Sequence, residues 1–277
     1  MQPGIYVVAT PIGNLGDLSQ RAMSVLRSAA LVAAEDTRTS GTILKLAGSQ
    51  AGVVSLTEHN VEQRTPALLT AARDGAVVLV SDAGTPVVAD PGARLIAAAH
   101  EAGIPVFAVP GPSALASAIS VSGFPGEDVH FLGFLPRPHG QRVARLTAAA
   151  ANAAVVVFFE SPNRLGATLE ELVAVLGDPP VAVCRELTKL HEEVVCGSAS
   201  ELAHRFATTR GECTVVVDTR SCGKKDAGRE AVAAYMGEML RAGARRSLAA
   251  GEAARRFGVP RDRAYELWDQ DEGTART

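Results

Sequence analysis

Short runs of valine, isoleucine, leucine and alanine recur along the chain at intervals that leave room for a helix between them. Residues 5–9, 30–34, 53–56, 77–80 and 106–109 form a first series. Apolar runs of this length without polar alternation predict strands buried on both faces, as in a mainly parallel sheet with helices on either side. A second series, 131–134, 154–159, 181–184, 193–196 and 214–217, follows the turn-rich segment Ser122-Gly123-Phe124-Pro125-Gly126 and predicts a second α/β domain. Helix starts are marked chemically. Asp17 with Gln20 three residues on predicts a capping box before the stripe Leu18, Ala22, Val25, Leu26 and Ala29. Asp90 before Pro91, and Ser161 before Pro162, set a capping side chain ahead of a first-turn proline. From Cys222 the strand pattern stops. Residues 222–228 read as a linker, and 247–262 carry the helix, glycine turn and second helix start of a helix-turn-helix. The expected organisation is α/β, with one domain over 1–117, a second over 118–221, and a linker and helical tail over 222–277.

Composition narrows this further. A chain of 277 residues, 47% of them hydrophobic, is long enough for two compact domains with a cleft between them. Its apolar runs fall far short of the roughly 20 residues of a membrane helix, and the N-terminus enters residues 5–9 without a basic and then apolar leader. A cytoplasmic protein that spans no membrane is expected. Cys184, Cys196, Cys213 and Cys222 lack the paired spacing of a zinc site, so buried thiols and no metal are expected. The net charge of -3 excludes a protein coated in positive charge, but RNA needs only a local basic face. One such stretch exists: no carboxylate falls between Asp128 and Glu160, whereas Arg137, His139, Arg142 and Arg145 do.

Polar residues gather where the expected strands end. Glu35-Asp36-Thr37-Arg38, Glu58-His59-Asn60, Ser81-Asp82, Glu160-Ser161 and Arg185-Glu186 each follow an apolar run. In open parallel sheets ligands bind at those ends, where loops and helix N-termini converge. Three glycine- and proline-bearing loops sit there too: Thr10-Pro11-Ile12-Gly13-Asn14, Ala83-Gly84-Thr85-Pro86 and Pro110-Gly111-Pro112-Ser113-Ala114. None is a phosphate loop and none spells the dinucleotide fingerprint, which argues against nucleotide hydrolysis and ordinary NAD chemistry.

Taken in order, these blocks resemble the tetrapyrrole methylase superfamily, and within it the methyltransferases of small-subunit ribosomal RNA that modify the 2′-hydroxyl of a cytidine. The likeness runs over residues 5–218. It includes Asp90-Pro91-Gly92, Gly133-Phe134-Leu135-Pro136, Phe159-Glu160-Ser161-Pro162, Arg185-Glu186-Leu187-Thr188-Lys189 and Gly211-Glu212. Asn163 departs from it, standing where the family usually has histidine. The resemblance implies two α/β domains of the tetrapyrrole methylase type with S-adenosyl-L-methionine in the cleft between them, a homodimer, and small ribosomal subunit RNA as partner. It places the cofactor against Thr10, Pro11, Asp82, Ala83, Gly84, Thr85, Ser113, Ala114, Phe159, Glu160, Arg185, Glu186, Leu187, Gly211 and Glu212.

Transfer of a methyl group to a ribose hydroxyl is an in-line displacement that asks the protein for alignment and for a group to take the hydroxyl proton. Asp36, His59, Glu186 and Lys189 are the candidates, the lysine only if its pKa is lowered. Arg38, Arg164, Arg185, the 137–145 stretch and the tail arginines Arg245, Arg246, Arg255, Arg256, Arg261 and Arg263 are candidates for RNA phosphates. Two other functions fit parts of the pattern. One is methylation of a tetrapyrrole ring carbon, and the other is RNA binding through the tail without catalysis.

Overall fold

The computed structural model describes residues 1–220, 222, 227–257, 261, 264 and 265. Its N-terminal sheet consists of β1 (Gly4–Val8), β2 (Leu31–Ala34), β3 (Gly52–Ser55), β4 (Ala76–Val80) and β5 (Val106–Val109). They pair in the order β3-β2-β4-β1-β5, all in parallel. Strand side chains alternate between the two faces, and each face meets its own helices. Tyr6, Val8, Val32 and Val78 pack with Leu26 of α1 (Gln20–Arg27) and Ile43 and Leu44 of α2 (Thr37–Ala47). Ile5, Ala33, Val77 and Leu79 pack with Leu68 of α3 (Val61–Asp74) and Leu95 of α4 (Ala93–Glu101).

The second sheet departs from the parallel expectation. It comprises β6 (Val129–Phe134), β7 (Val155–Glu160), β8 (Pro180–Arg185), β9 (Glu193–Ser198) and β10 (Cys213–Asp218), in the order β6-β7-β10-β8-β9. Only β6 and β7 run parallel. β8 and β9 follow each other through a short loop, too short for a crossover, and so pair antiparallel, as does β10 with both its neighbours. One face carries α6 (His139–Asn152), α7 (Pro162–Leu176) and α8 (Ala199–Arg205) over a core that includes Phe158, Leu165, Leu169 and Leu172. Full burial of each of these side chains stabilises the fold by roughly 1.5–3 kcal/mol. The other face carries α5 (Ala114–Ser122), which straddles position 117. The two units are tied together by the loop after β1, whose Ile12 packs among Ala118, Cys184 and Leu187 of the second core.

Several local expectations change. Ser19, not Asp17, caps α1, because its hydroxyl accepts from the Ala22 N–H, while Asp17 ends a 3-10 turn. Gly92 rather than Asp90 precedes α4. Ser161 and Pro162 do begin α7, although the serine side chain makes no capping bond. Cys184, Cys213 and Cys222 are buried, but Cys196 is exposed. In the tail, α9 (Ala227–Arg241) and α10 (Arg246–Phe257) pack on each other through Val232, Met236, Ala249, Ala250 and Ala253. Most of the expected linker, and the turn and second helix of the helix-turn-helix reading, lie outside the described residues. Among the described residues no helix is long and apolar enough to cross a membrane.

Candidate active site

A cavity of about 450 Å³ opens where the carboxyl ends of the N-terminal strands face the second unit. This is within the ~300–1,000 Å³ of small-molecule sites. From the first unit it is lined by Ile12, Glu35, the loop residues Asp82 to Asp90 apart from Pro86 and Val87, Ser113 and Ala114. The second unit adds Phe134, Phe159, Glu160, Ser161, Pro162, Glu212, Cys213 and Thr214.

The loop after β4 is held from behind. The buried Thr10 exchanges both backbone hydrogen bonds with Gly84, and its hydroxyl donates to the Ser81 carbonyl at 3.2 Å. The Thr85 hydroxyl donates to the Pro112 carbonyl, joining this loop to the one after β5. Beyond it, Val87 and Ala89 sit in the left-handed region at φ 75 and 66. Strain of that kind persists only where the surroundings over-determine it.

Five carboxyl side chains line the cavity, and three of them, Glu35, Asp82 and Asp90, come from the first unit. Burial, then the charges of Asp90, Asp82 and Glu58, push Glu35 above the ordinary carboxylate range, against a hydrogen bond from the Asp82 backbone. Burial and the charge of Asp82 push Asp90 up as well, although the Ser81 hydroxyl works against them. The surplus negative charge suits a cationic ligand. It also costs stability, because a carboxyl whose folded pKa exceeds its unfolded one stabilises below the unfolded value and loses that contribution as pH rises through the folded value. Glu35→Gln is therefore expected to raise the melting temperature at pH 7 and to give no gain below pH 4.5, the ordinary value of this group. Thermal unfolding at both pH values checks this, and an equal gain at both would refute it.

Glu160, at the end of β7, is 2% exposed and turned inward: it accepts from the Ser161 N–H at 2.7 Å and the Thr168 hydroxyl at 2.9 Å, and pairs with Arg164 at 3.1 Å. Cys213 is a neutral thiol, since burial pushes it up to about 11.

Of the residues expected against the cofactor, Asp82, Ala83, Gly84, Thr85, Ser113, Ala114, Phe159, Glu160 and Glu212 line the cavity. Thr10, Pro11, Arg185, Glu186, Leu187 and Gly211 are not part of its lining. Thr10 shapes the loop, Leu187 packs near Ile12, and Arg185 is occupied by Glu193 at 3.0 Å and the Arg210 carbonyl. Glu186 accepts from the Glu212 N–H, and a Cβ at Gly211 would fall 2.5 Å from its carboxyl carbon.

None of Asp36, His59, Glu186 and Lys189 lines the cavity. Asp36 caps α2 and pairs with Arg38, which holds it down at about 2, while His59 is exposed on the turn after β3. Lys189 bonds Glu186 at 2.8 Å and Glu212 at 3.0 Å, with its stem over Gly13. Burial lowers its pKa, but hydrogen bonds and the charges of those two carboxylates outweigh this and raise it, so it is an ammonium rather than a base. Hydrogen bonds from Lys189 and then from the Glu212 N–H hold Glu186 below the ordinary range.

The arginines proposed for phosphates divide. Arg142 is buried against Glu171, and Arg164 is committed to Glu160, while Arg137 and Arg145 are exposed. Sequence reasoning missed Ile12, Val88, Ala89, Phe134, Cys213 and Thr214 as cavity residues, and did not assign Glu35 or Asp90 a role there. Among the described residues no group of three or more His, Cys, Asp or Glu is placed to hold a metal ion.

The family model of the tetrapyrrole (corrin/porphyrin) methylases matches residues 4–203. The chain belongs to the tetrapyrrole methylase family. Within it, the chain is 43% identical over 266 residues to a protein of Micromonospora olivasterospora named ribosomal RNA small subunit methyltransferase I, covering 95% of this chain and 85% of that one. It is 37% identical over 276 residues to the protein of that name from Halalkalibacterium halodurans, covering 96% and 95%. Among solved structures, a diphthine synthase superposes with a TM-score of 0.62 at 18% identity, over 77% of this chain and 89% of that one. A uroporphyrin-III-C-methyltransferase from Thermus thermophilus does so at 0.56 and 23%, over 82% and 98%. These two structural likenesses show the fold.

The cofactor of this tetrapyrrole methylase is S-adenosyl-L-methionine. The cavity fits it in chemistry. Carboxylates of Glu35, Asp82 and Asp90 face a ligand that carries a sulfonium and an ammonium, and Ile12, Val88, Phe159 and Pro162 supply apolar walls for a flat ring.

Proposed function

We propose that this protein methylates ribosomal RNA of the small subunit, at the 2′-hydroxyl of a cytidine ribose. The observation that carries the reading is a carboxylate-lined cavity at the strand ends of a chain whose kinship to proteins named for small-subunit ribosomal RNA spans nearly its whole length. S-adenosyl-L-methionine, when bound, supplies an electrophilic methyl group and the driving force for its transfer.

The chain's own residues do the rest. Asp82, on a loop braced by Thr10, holds positive charge, and the walls made by Ile12 and Phe159 exclude water. Glu35 and Asp90 line the cavity with pKa values raised, so one of these two takes the hydroxyl proton rather than Asp36 or Glu186, which lie outside the lining and are held low. Lys189 locks the loop after β8 to the loop before β10 and to Gly13. In this reading residues 1–117 and 118–221 are the two domains that share the cleft, and the protein works in the cytoplasm as a homodimer.

The test is incubation of the purified protein with labelled S-adenosyl-L-methionine and assembled small ribosomal subunits. Label in RNA, in an alkali-resistant dinucleotide, is the expected result. Label in a porphyrinogen alone would replace this function with ring-carbon methylation.

A further inference from the structure

Phe134 lines the cavity yet keeps 62% of its surface exposed, which a cofactor wall does not require. Two features of the fold put it there. Between the pairs Phe131–Val157 and Phe134–Phe159, β6 carries one more residue than β7, and Gly133 takes φ 62. Such a bulge re-aims the side chain that follows it. The loop beyond is then pinned. Arg142 donates to the carbonyls of Pro136 and Arg137 at 3.1 and 2.7 Å, and Arg164 donates to those of Leu135 and Pro136 at 3.2 and 3.3 Å. Each guanidinium is itself held by a glutamate, Glu171 or Glu160. Phe159 braces the Phe134 ring with centroids 5.5 Å apart. The ring thus stands braced on one side and open to water at the mouth of the site, where a ligand can meet it. Its surroundings indicate which one: Arg137 and Arg145 are exposed on the same carboxylate-free segment, Arg145 with one guanidinium nitrogen donating to the Leu132 carbonyl at 2.9 Å.

We propose that Phe134 is the platform on which the base of the target nucleotide stacks as its ribose hydroxyl enters the cavity, with Arg137 and Arg145 set for flanking phosphates. The inference rests on the RNA reading above. A nucleotide must leave its stack for its ribose to reach an enclosed site, and unstacked bases settle on aromatic rings beside cations. Phenylalanine offers no hydrogen bond, so the platform positions the base without selecting it.

The experiment compares wild type, Phe134→Ala and Phe134→Trp in steady-state methylation of small ribosomal subunits, with donor affinity by calorimetry and oligomeric state by sedimentation. Alanine is expected to raise KM for the subunit about tenfold with donor Kd unchanged, and tryptophan to restore it. A weaker donor Kd in Phe134→Ala would make the ring a cofactor wall, and a changed oligomeric state would make it an interface; either overturns the platform, as does an unchanged KM. If wild type methylates RNA and the alanine variant is indifferent, the platform alone falls. If wild type methylates no ribosomal RNA, the functional reading falls and the platform with it.

Discussion

Glu160→Ala is expected to destabilise the protein by about 3 kcal/mol, the cost of leaving one partner of a buried ion pair uncompensated. The carboxylate is almost fully enclosed, and three donors converge on it: the Ser161 N–H, the Thr168 hydroxyl and the Arg164 guanidinium. Removing it strands Arg164, whose remaining partners are the carbonyls of Leu135 and Pro136. The damage thus reaches the loop beside Phe134 as well as the start of α7. Thr168→Val, which removes one donor and leaves the charge pair, should cost only about 1 kcal/mol. Urea unfolding of both variants provides the measurement. A loss below 1 kcal/mol for Glu160→Ala would show that the pair is not structural.

Asp82→Ala should weaken S-adenosyl-L-methionine binding by roughly 10- to 100-fold, with little change in melting temperature. The affinity estimate follows from the ~1.5–3 kcal/mol of a hydrogen bond to a charged group, each 1.4 kcal/mol being tenfold. Stability changes little because opposing effects meet at this residue. Its Oδ1 accepts from the Asp36 N–H at 3.0 Å, a bond that is lost. Its charge also pushes up both Glu35 and Asp90, a repulsion that is relieved. The loop keeps its shape, since Thr10 and Pro112 hold it through bonds that do not involve the Asp82 side chain. Isothermal titration with the cofactor decides the matter: an unchanged Kd would remove Asp82 from the site.

How far the site was legible depended on whether a residue's role is local. Asp82 to Thr85, Ser113-Ala114 and Phe159-Glu160 lie where strands stop, and the end of a buried strand can be read from apolar patterning. Ile12 stands in a glycine- and proline-bearing loop with no role visible in sequence, because its position comes from docking into the core of the other unit. Val88 and Ala89 carry no mark of the strained loop they belong to, since the positive φ of Val87 and Ala89 is imposed by their surroundings. Arg142 and Arg164 read as free cations in sequence but are partnered by glutamates, Glu171 on the neighbouring α7 and Glu160 at the end of the preceding strand. Lys189 is admissible as a base from sequence alone, but the fold sets Glu186 and Glu212 against its ammonium.

By itself the sequence determined the strands of both units and the room for helices between them, the family, and the strand ends at which chemistry gathers, because each is written in periodicity or in contiguous motifs. Only the tertiary structure decided which of those polar ends share a cavity, the antiparallel run of β8, β9 and β10, and the protonation of the ionisable groups. These depend on which charges and walls come within a few ångströms across the fold, a distance unrelated to separation along the chain. The outward turn of Phe134 belongs with them: one extra residue in β6 produces it, and that residue is extra only when counted against β7.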